Sequence, residues 1–390
     1  MTTADTPVGT AVEINGDEIA DGIAVWLEIE SPTIDVEAVN RMVDTVQTDF
    51  EAAGLTTRRT PGEDGYGDLL QAFGPDAEPD GPKANEPGIL VLSHIDTVHP
   101  IGTKKEGNPI RRDGDKLYGP GVYDMKAGAY LAFDAYRRLL VAGGKTKLPV
   151  RFMFIPEEER GSPYSRAYIK RAAALAKYAL VTEPARDGGK VVVARKGSAR
   201  FKLKTIGRPS HSGSKHEEGR SAIREMARQI CDIEDMTDYE AGITFNTGVI
   251  NGGTGPNVVP QECVIELDCR FVHLADGEGA VKAIYNLKPY DPDVTIEVSG
   301  GLSRPPMEKA NNLTLFEKAR AYALEHGLDL QYTPLTGGGS DGNFTSAEGT
   351  PTLDGLGADG EGAHTLFENI LVSSLEPRSR MWIKLLEGLE

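Results

Sequence analysis

From Gly88 onward the chain alternates short, unbroken apolar runs with helical stretches. The runs are 89–93 (Ile-Leu-Val-Leu-Ser), 149–155 and 178–182; the helical stretches are 126–142, closed by Gly143-Gly144, and 163–176. Strands that are apolar at every position are covered on both faces, so this grammar predicts an α/β fold with a mixed, mostly parallel sheet flanked by helices. Ahead of it, Val36, Val39, Val43, Val46 and Phe50 recur at three- and four-residue steps, and Gly54 stands where a C′ glycine ends a helix. The first 55 residues therefore read as helical packing elements. Residues 56–86, rich in Gly, Pro, Asp and Glu, hold neither period and read as an irregular excursion with a short strand at 68–73.

The pattern changes in kind after residue 188. Cys263, Ile265, Leu267, Cys269 and Phe271 alternate with Glu266, Asp268 and Arg270, and 198–206 behaves similarly, as half-exposed antiparallel strands require. Helical stretches near 217–231 and 275–287 complete an α+β insert. After Pro305-Pro306 the first grammar returns, with a helix at 312–326, a strand at 329–333, a glycine run and a final helix at 373–390. The expected division is one domain at 1–188 and 306–390, interrupted by a second at 189–305.

Acidic residues outnumber basic ones, 59 to 42, for a formal charge of −17, so a polyanion is repelled and nucleic acid is not an expected partner. The segment beginning Met1-Thr-Thr-Ala-Asp-Thr-Pro has neither a basic nor an apolar leader region, and no later run reaches membrane-span length. A soluble cytoplasmic protein is expected. Cys231, Cys263 and Cys269 contain no Cys-x-x-Cys, so any metal is held by imidazoles and carboxylates.

Three of the apolar strands run into such side chains: His94-Ile-Asp96, Glu157-Glu158-Glu159 and Glu183. In an open α/β sheet the carboxyl ends of the strands converge on one crevice. Asp124, in a glycine-rich loop just before a helix, and His364, in Gly-Ala-His-Thr, are further candidates for the same rim. Carboxylates crowded together repel unless a cation or proton sits among them. His, Asp, Glu, Glu and His form an all-nitrogen-and-oxygen set that suits zinc, manganese or cobalt. Five ligands suit two ions sharing a bridging carboxylate better than one open zinc, with a spare carboxylate as general base.

These stretches resemble those of the M20 metallopeptidases, the carboxypeptidase G2-like and aminoacylase-like co-catalytic dizinc hydrolases. The similarity rests on Ser93-His94-Ile-Asp96, Gly119-Pro-Gly-Val-Tyr-Asp124-Met-Lys-Ala-Gly, Pro156-Glu157-Glu158, Thr182-Glu183-Pro, Arg208-Pro-Ser-His211-Ser-Gly, Gly255-Pro-Asn257, Asp268-Cys-Arg270, Gly339-Ser340-Asp341 and Gly362-Ala-His364. The resemblance implies that His94 and Glu183 hold one ion, Glu158 and His364 the other, and that Asp124 bridges. It further implies Glu157 as general base and Asp96 as the group orienting His94. The insert is then a lid and dimerisation domain, the protein a homodimer, and His211 the donor to a tetrahedral oxyanion. Asn257, Arg270, Arg304 and Lys190 match positions for a substrate carboxylate. The implied activity is hydrolysis of an amide C–N bond in a small molecule or short peptide with a free carboxylate. Release of a C-terminal acidic residue is the first reading, and N-acyl amino-acid deacylation or another C–N hydrolysis, including on a carboxylated aromatic amine, is the second.

Two other motifs compete. Gly338-Gly-Ser340-Asp-Gly342 satisfies G-x-S-x-G, with Asp354 and His364 following in α/β-hydrolase order, but this would leave 50 residues for the rest of such a fold and no task for the acids at 124, 157, 158 and 183. Gly355-x-Gly357-x-x-Gly360 fits a dinucleotide fingerprint without a helix opening from it. A non-catalytic peptide- or amino-acid-binding scaffold is the remaining alternative, and a complete ligand set speaks against it.

Overall fold

The computed structural model describes residues 13–390. The expectations that fall on residues 1–12, the start of the helical stretch and the lack of a leader, lie outside the described residues. The chain divides into two compact units: a first comprising the residues up to Ala194, Lys309–Leu335 and Ser340–Glu390, and a second comprising Arg195–Glu308 with Thr336–Gly339. The second unit thus begins six residues after the expected boundary and also takes in a short glycine-rich return.

The first unit is built on a six-stranded sheet in the order Thr56–Thr60, Leu69–Phe73, Val150–Ile155, Gly88–His94, Ala176–Val181, Thr352–Leu353. The last four strands are mutually parallel, Leu69–Phe73 runs antiparallel to them, and Thr56–Thr60 pairs antiparallel with Leu69–Phe73, so the sheet is mixed and mostly parallel. Alternate residues of its central strands enter different cores. Ile89, Val91, Phe152 and Phe154 join one cluster, while Leu90, Leu92, Met153 and Ile155 join another with Ile169 and Phe344. Both faces are therefore covered, which is why the strands read as unbroken apolar runs. Helix Ala127–Val141 packs on helix Leu375–Gly388 in the larger cluster, and Phe50 of helix Val36–Ala52 stacks edge-on against Phe152 and Phe154. That last helix is capped by the Asp35 side chain, which accepts from Ala38 N–H, and Gly54 follows its end at φ +79°.

The excursion at 56–86 contains one strand more than expected. Thr56–Thr60 is an edge strand with every residue at least partly exposed, so it lacks the apolar signal that marks the strands inside the sheet.

The second unit is a four-stranded antiparallel sheet in the order Thr244–Gly252, Glu262–Phe271, Gly197–Ile206, Thr295–Arg304. Its core joins Phe201, Leu203, Ile265, Leu267 and Phe271 to Met226 and Ile233 of helix Ala222–Glu234 and to Ala280 and Ile284 of helix Leu274–Tyr285. The other face carries Arg200, Lys202, Glu266 and Asp268, which gives the strands their alternation. Among the described residues no helix is long and apolar enough to cross a membrane.

Candidate metal centre

Asp96, two residues beyond the Gly88–His94 strand, is fully buried and uses both carboxylate oxygens. Thr33 Oγ1 donates to its Oδ2 at 2.6 Å, and the backbone N–H groups of Glu158 and Glu159 donate to Oδ1 at 3.1 Å and Oδ2 at 3.2 Å. The same residue meets His94 Nδ1, with its carbonyl oxygen at 3.1 Å and its carboxylate at 3.4 Å. Two acceptors at Nδ1 place the ring proton there and turn the lone pair of Nε2 toward the site. Asp96 thereby ties the ends of two neighbouring strands together.

His94 Nε2 lies 3.1 Å from Asp124 Oδ1 and 3.8 Å from Glu183 Oε1. The other oxygen of Asp124 is 3.3 Å from His364 Nε2, which is itself 3.2 Å from Glu159 Oε2. Asp124 therefore stands between two imidazoles, one on each oxygen. Ligand atoms of His94, Asp124 and Glu159 all lie within 4.8 Å of one another, as do those of His94, Glu158 and Glu183. Asp124 is delivered by the tight turn Val122–Lys126 ahead of helix Ala127–Val141, through a cis Asp124–Met125 peptide. The turn opens at Gly121, whose φ is +72° and where a Cβ would meet Thr97 Cγ2 at 2.4 Å, so glycine is required there.

The glutamate triplet departs from expectation by one residue. Glu157, expected to face the site as general base, is turned into the protein: Ser165 N–H donates to its Oε1 at 2.6 Å and Ser165 Oγ to its Oε2 at 2.7 Å. It is fully buried and joins neither group of ligand atoms. Glu158, expected opposite His364, lies instead with His94 and Glu183, and the residue against His364 is Glu159. The cause is the backbone. With the N–H groups of 158 and 159 both fixed on Asp96, the turn Glu158–Arg160 presents those two side chains to the site and leaves Glu157 to Ser165.

The electrostatics follow from crowding. Burial opposes a charge on His94, but hydrogen bonds to Asp124 and Asp96 outweigh it and raise its pKa well above the ordinary value. Burial likewise opposes the Asp124 carboxylate, and the two imidazoles hold it far below the usual range nonetheless. Hydrogen bonds to Asp124 and Glu159 push His364 up to about 10, while burial raises Glu159. Burial also pushes Glu157 up to about 7, against the hydrogen bonds from Ser165. Carboxylates crowded in this way need a cation among them, whether a proton or a metal ion.

The donors fit a divalent cation. They are imidazole and carboxylate only, and Glu159 Oε1 is buried with no hydrogen-bond partner, an acceptor left for another ligand.

The remaining expected residues are in other settings. In the second unit, Arg270 and Arg304 lie directly across from Ser198, one on each neighbouring strand, so all three share one face of the sheet. Arg270 forms a two-pronged contact with Asp268 at 2.7 and 3.2 Å, and Arg304 is buried. His211 is exposed, and its Nδ1 accepts from the N–H groups of Gly213 and Ser214 at 3.1 and 3.2 Å, which leaves the ring proton on Nε2. Asn257 is exposed nearby, its carbonyl accepting from Ser212 N–H at 3.1 Å. Lys190 belongs to the first unit, where it closes a tight turn by exchanging backbone hydrogen bonds with Arg186.

The competing motifs are structural. Ser340 Oγ donates to Asp354 Oδ2 at 2.5 Å and accepts from Gly342 N–H, both side chains being fully buried, whereas His364 faces Asp124 and Glu159. No serine–histidine pair forms there. Gly357 N–H donates to the carbonyl of Glu183 at 2.8 Å and so steadies a site residue. The sequence does not single out Glu159, which is indistinguishable in type from its neighbours, or Glu368, a fully buried acid that accepts from the Asp124 backbone N–H at 2.8 Å.

Residues 90–388 match peptidase family M20/M25/M40. The chain belongs to this family. Its M20 relatives include carboxypeptidase G2 of Pseudomonas sp. (strain RS-16), 30% identical over 308 residues that cover 77% of this chain and 74% of that protein. The succinyl-diaminopimelate desuccinylase of Verminephrobacter eiseniae is 26% identical over 335 residues, covering 81% and 82%. Among solved structures, the M20 family metallo-carboxypeptidase Sso-CP2 of Sulfolobus solfataricus superposes with a TM-score of 0.75 at 17% identity, over 95% of this chain and 98% of that one. The M20 membership makes this chain a metallohydrolase acting on amide bonds.

Proposed function

We propose that this M20 enzyme hydrolyses the amide C–N bond of a small molecule or short peptide with a free carboxylate, releasing a C-terminal acidic residue such as glutamate. The observation that carries the reading is Asp124, one oxygen at His94 and the other at His364, with Glu183 and Glu159 flanking them and Glu158 to spare.

In this reading His94, Asp124 and Glu183 would hold one divalent ion and Asp124, Glu159 and His364 the other, with zinc as the ion and manganese and cobalt compatible with the same donors. The chemistry such ions would supply, when bound, is polarisation of a water and of the scissile carbonyl. Glu158 is the general base: it takes the proton of the attacking water and returns it to the leaving nitrogen. Asp96 holds the ring of His94 chiefly through its backbone carbonyl and the backbone of Glu158 and Glu159 through its carboxylate, so one residue sets the base relative to the ligands. His211 donates Nε2–H to the developing oxyanion. Arg270 and Arg304, with Asn257 and Lys190, bind the substrate carboxylate, and the pairing of the two arginines across Ser198 supports this role. The working form is proposed to be a homodimer with the second unit as lid and contact, on the strength of the family resemblance. The free thiols of Cys231, Cys263 and Cys269 favour the cytoplasm.

A second reading, N-acyl amino-acid deacylation, is favoured by the similarity to a desuccinylase. Purified protein assayed on N-acyl-glutamate, N-acyl-alanine, a dipeptide and an aminobenzoate amide separates the two. Chelator-sensitive turnover that zinc or manganese restores, with preference for the release of glutamate, is expected. Preference for N-acyl-alanine supports the second reading, and turnover unaffected by chelator contradicts both.

A further inference from the structure

The carboxylate of Glu368 lies beneath the Asp124 turn and has no exposed surface. Its Oε1 accepts from the backbone N–H groups of Tyr123 at 2.9 Å and Asp124 at 2.8 Å. Its Oε2 accepts from Gly121 N–H and from His99 Nε2, both at 2.8 Å. Four donors fill the acceptor positions of a carboxylate, so the group is fully engaged and buried at once. Its own backbone is held from the other side, where Asn108 Nδ2 donates to the Glu368 carbonyl at 3.0 Å.

Three of the four donors belong to residues 121–124, a turn that a strand or helix ladder cannot satisfy because its residues leave helical geometry at Asp124 and Met125. A buried backbone N–H without an acceptor is costly. Glu368 supplies acceptors for three such groups with a single side chain, and one of them is the N–H of Asp124 itself. A turn held at Gly121, Tyr123 and Asp124 has little freedom left to rotate the Asp124 carboxylate. Glu368 lies four residues after His364, so the same short segment carries one imidazole of the site and the clamp for its central carboxylate. His99, in turn, follows His94 and Asp96 on the chain leaving the Gly88–His94 strand, which ties the clamp to the other imidazole.

We infer that Glu368 is a positioning residue: with His99 it fixes the orientation of Asp124 and thereby the affinity of the site for its ions. This rests on the reading of Asp124 as the shared ligand. It assigns Glu368 no contact with substrate.

The test is a calorimetric titration of zinc into chelator-treated full-length protein, with thermal unfolding and steady-state kinetics alongside. Glu368→Gln keeps an oxygen for the N–H groups of Tyr123 and Asp124 but turns an NH2 toward the donors on Gly121 and His99. It is expected to bind zinc about 10–100-fold more weakly, as groups that orient metal ligands do on substitution. Its KM should be unchanged, and its kcat should recover toward the wild-type value at high zinc. His99→Asn, whose NH2 is too short to reach the place of Nε2, removes that one donor and should show a smaller loss of the same sign; it decides the matter if Glu368→Gln does not fold. Wild-type zinc affinity in both variants overturns the proposal. Asp124→Asn separates the two layers of inference. If Asp124→Asn weakens zinc binding while the other variants do not, only the positioning role fails, and if Asp124→Asn also binds zinc as the wild type does, the site assignment itself fails.

Discussion

In the first unit the carboxylates of Asp96, Glu157 and Glu368 are fully buried, whereas in the second unit the Arg208–Asp293 pair has side chains 54% and 51% exposed. Asp96 and Glu368 draw donors from more than one segment, Thr33, Glu158 and Glu159 for the first and His99 with the 121–124 turn for the second, while Glu157 has both oxygens on Ser165. The exposed pair competes with water for every contact and constrains little. Buried charge, once satisfied, dictates backbone geometry, and that is how loops distant in sequence deliver six ligand-type side chains to one place. On the sheet of the second unit, Arg200, Lys202, Glu266 and Asp268 instead form an accessible polar face over an apolar core.

The contrast predicts graded effects. His94→Ala should abolish metal binding, measured by elemental analysis after dialysis, and reduce turnover below detection, because it removes a ligand and frees Asp124 on one side. Arg270→Ala, on the accessible face, should raise KM for a carboxylate-bearing substrate about 10–100-fold with kcat largely kept, the loss of a charge-assisted contact. Retained KM would remove Arg270 from substrate recognition.

Glu157→Gln should leave turnover of the same order and change instead the pH dependence of stability. Burial raises the folded-state pKa of Glu157 from 4.5 to about 7. Its contribution is therefore fully present below about pH 4.5 and is lost as pH rises through about 7. Thermal melts of the variant should be flatter than those of the wild type across that window. The smallest effect belongs to Asp293→Asn, which should change unfolding free energy by ~0.2–1 kcal/mol in a urea titration, and by less at high salt.

Much of the fold was legible because the central strands are apolar at every position, whereas the edge strand Thr56–Thr60 carries Thr-Thr-Arg-Arg-Thr and sends no such signal. His94, Asp124, Glu183 and His364 were recognisable from their places at strand ends and in glycine-rich loops, and the structure brings the four together. The glutamate triplet was not resolvable. Three identical side chains in a row give no period, and only the Asp96 and Ser165 hydrogen bonds determine which of them turns inward. Glu368 was invisible for a related reason: its partners are backbone N–H groups, which carry no residue identity.

In the proposed function Glu158 moves the proton and Glu159 holds metal. The most direct measurement is metal content and kcat of Glu157→Gln, Glu158→Gln and Glu159→Gln side by side. Glu158→Gln is expected to keep its metal and lose about 10²–10⁴-fold in kcat, Glu159→Gln to lose metal, and Glu157→Gln to retain both. A Glu157→Gln enzyme that is loaded but inactive, beside an active Glu158→Gln, would contradict this assignment.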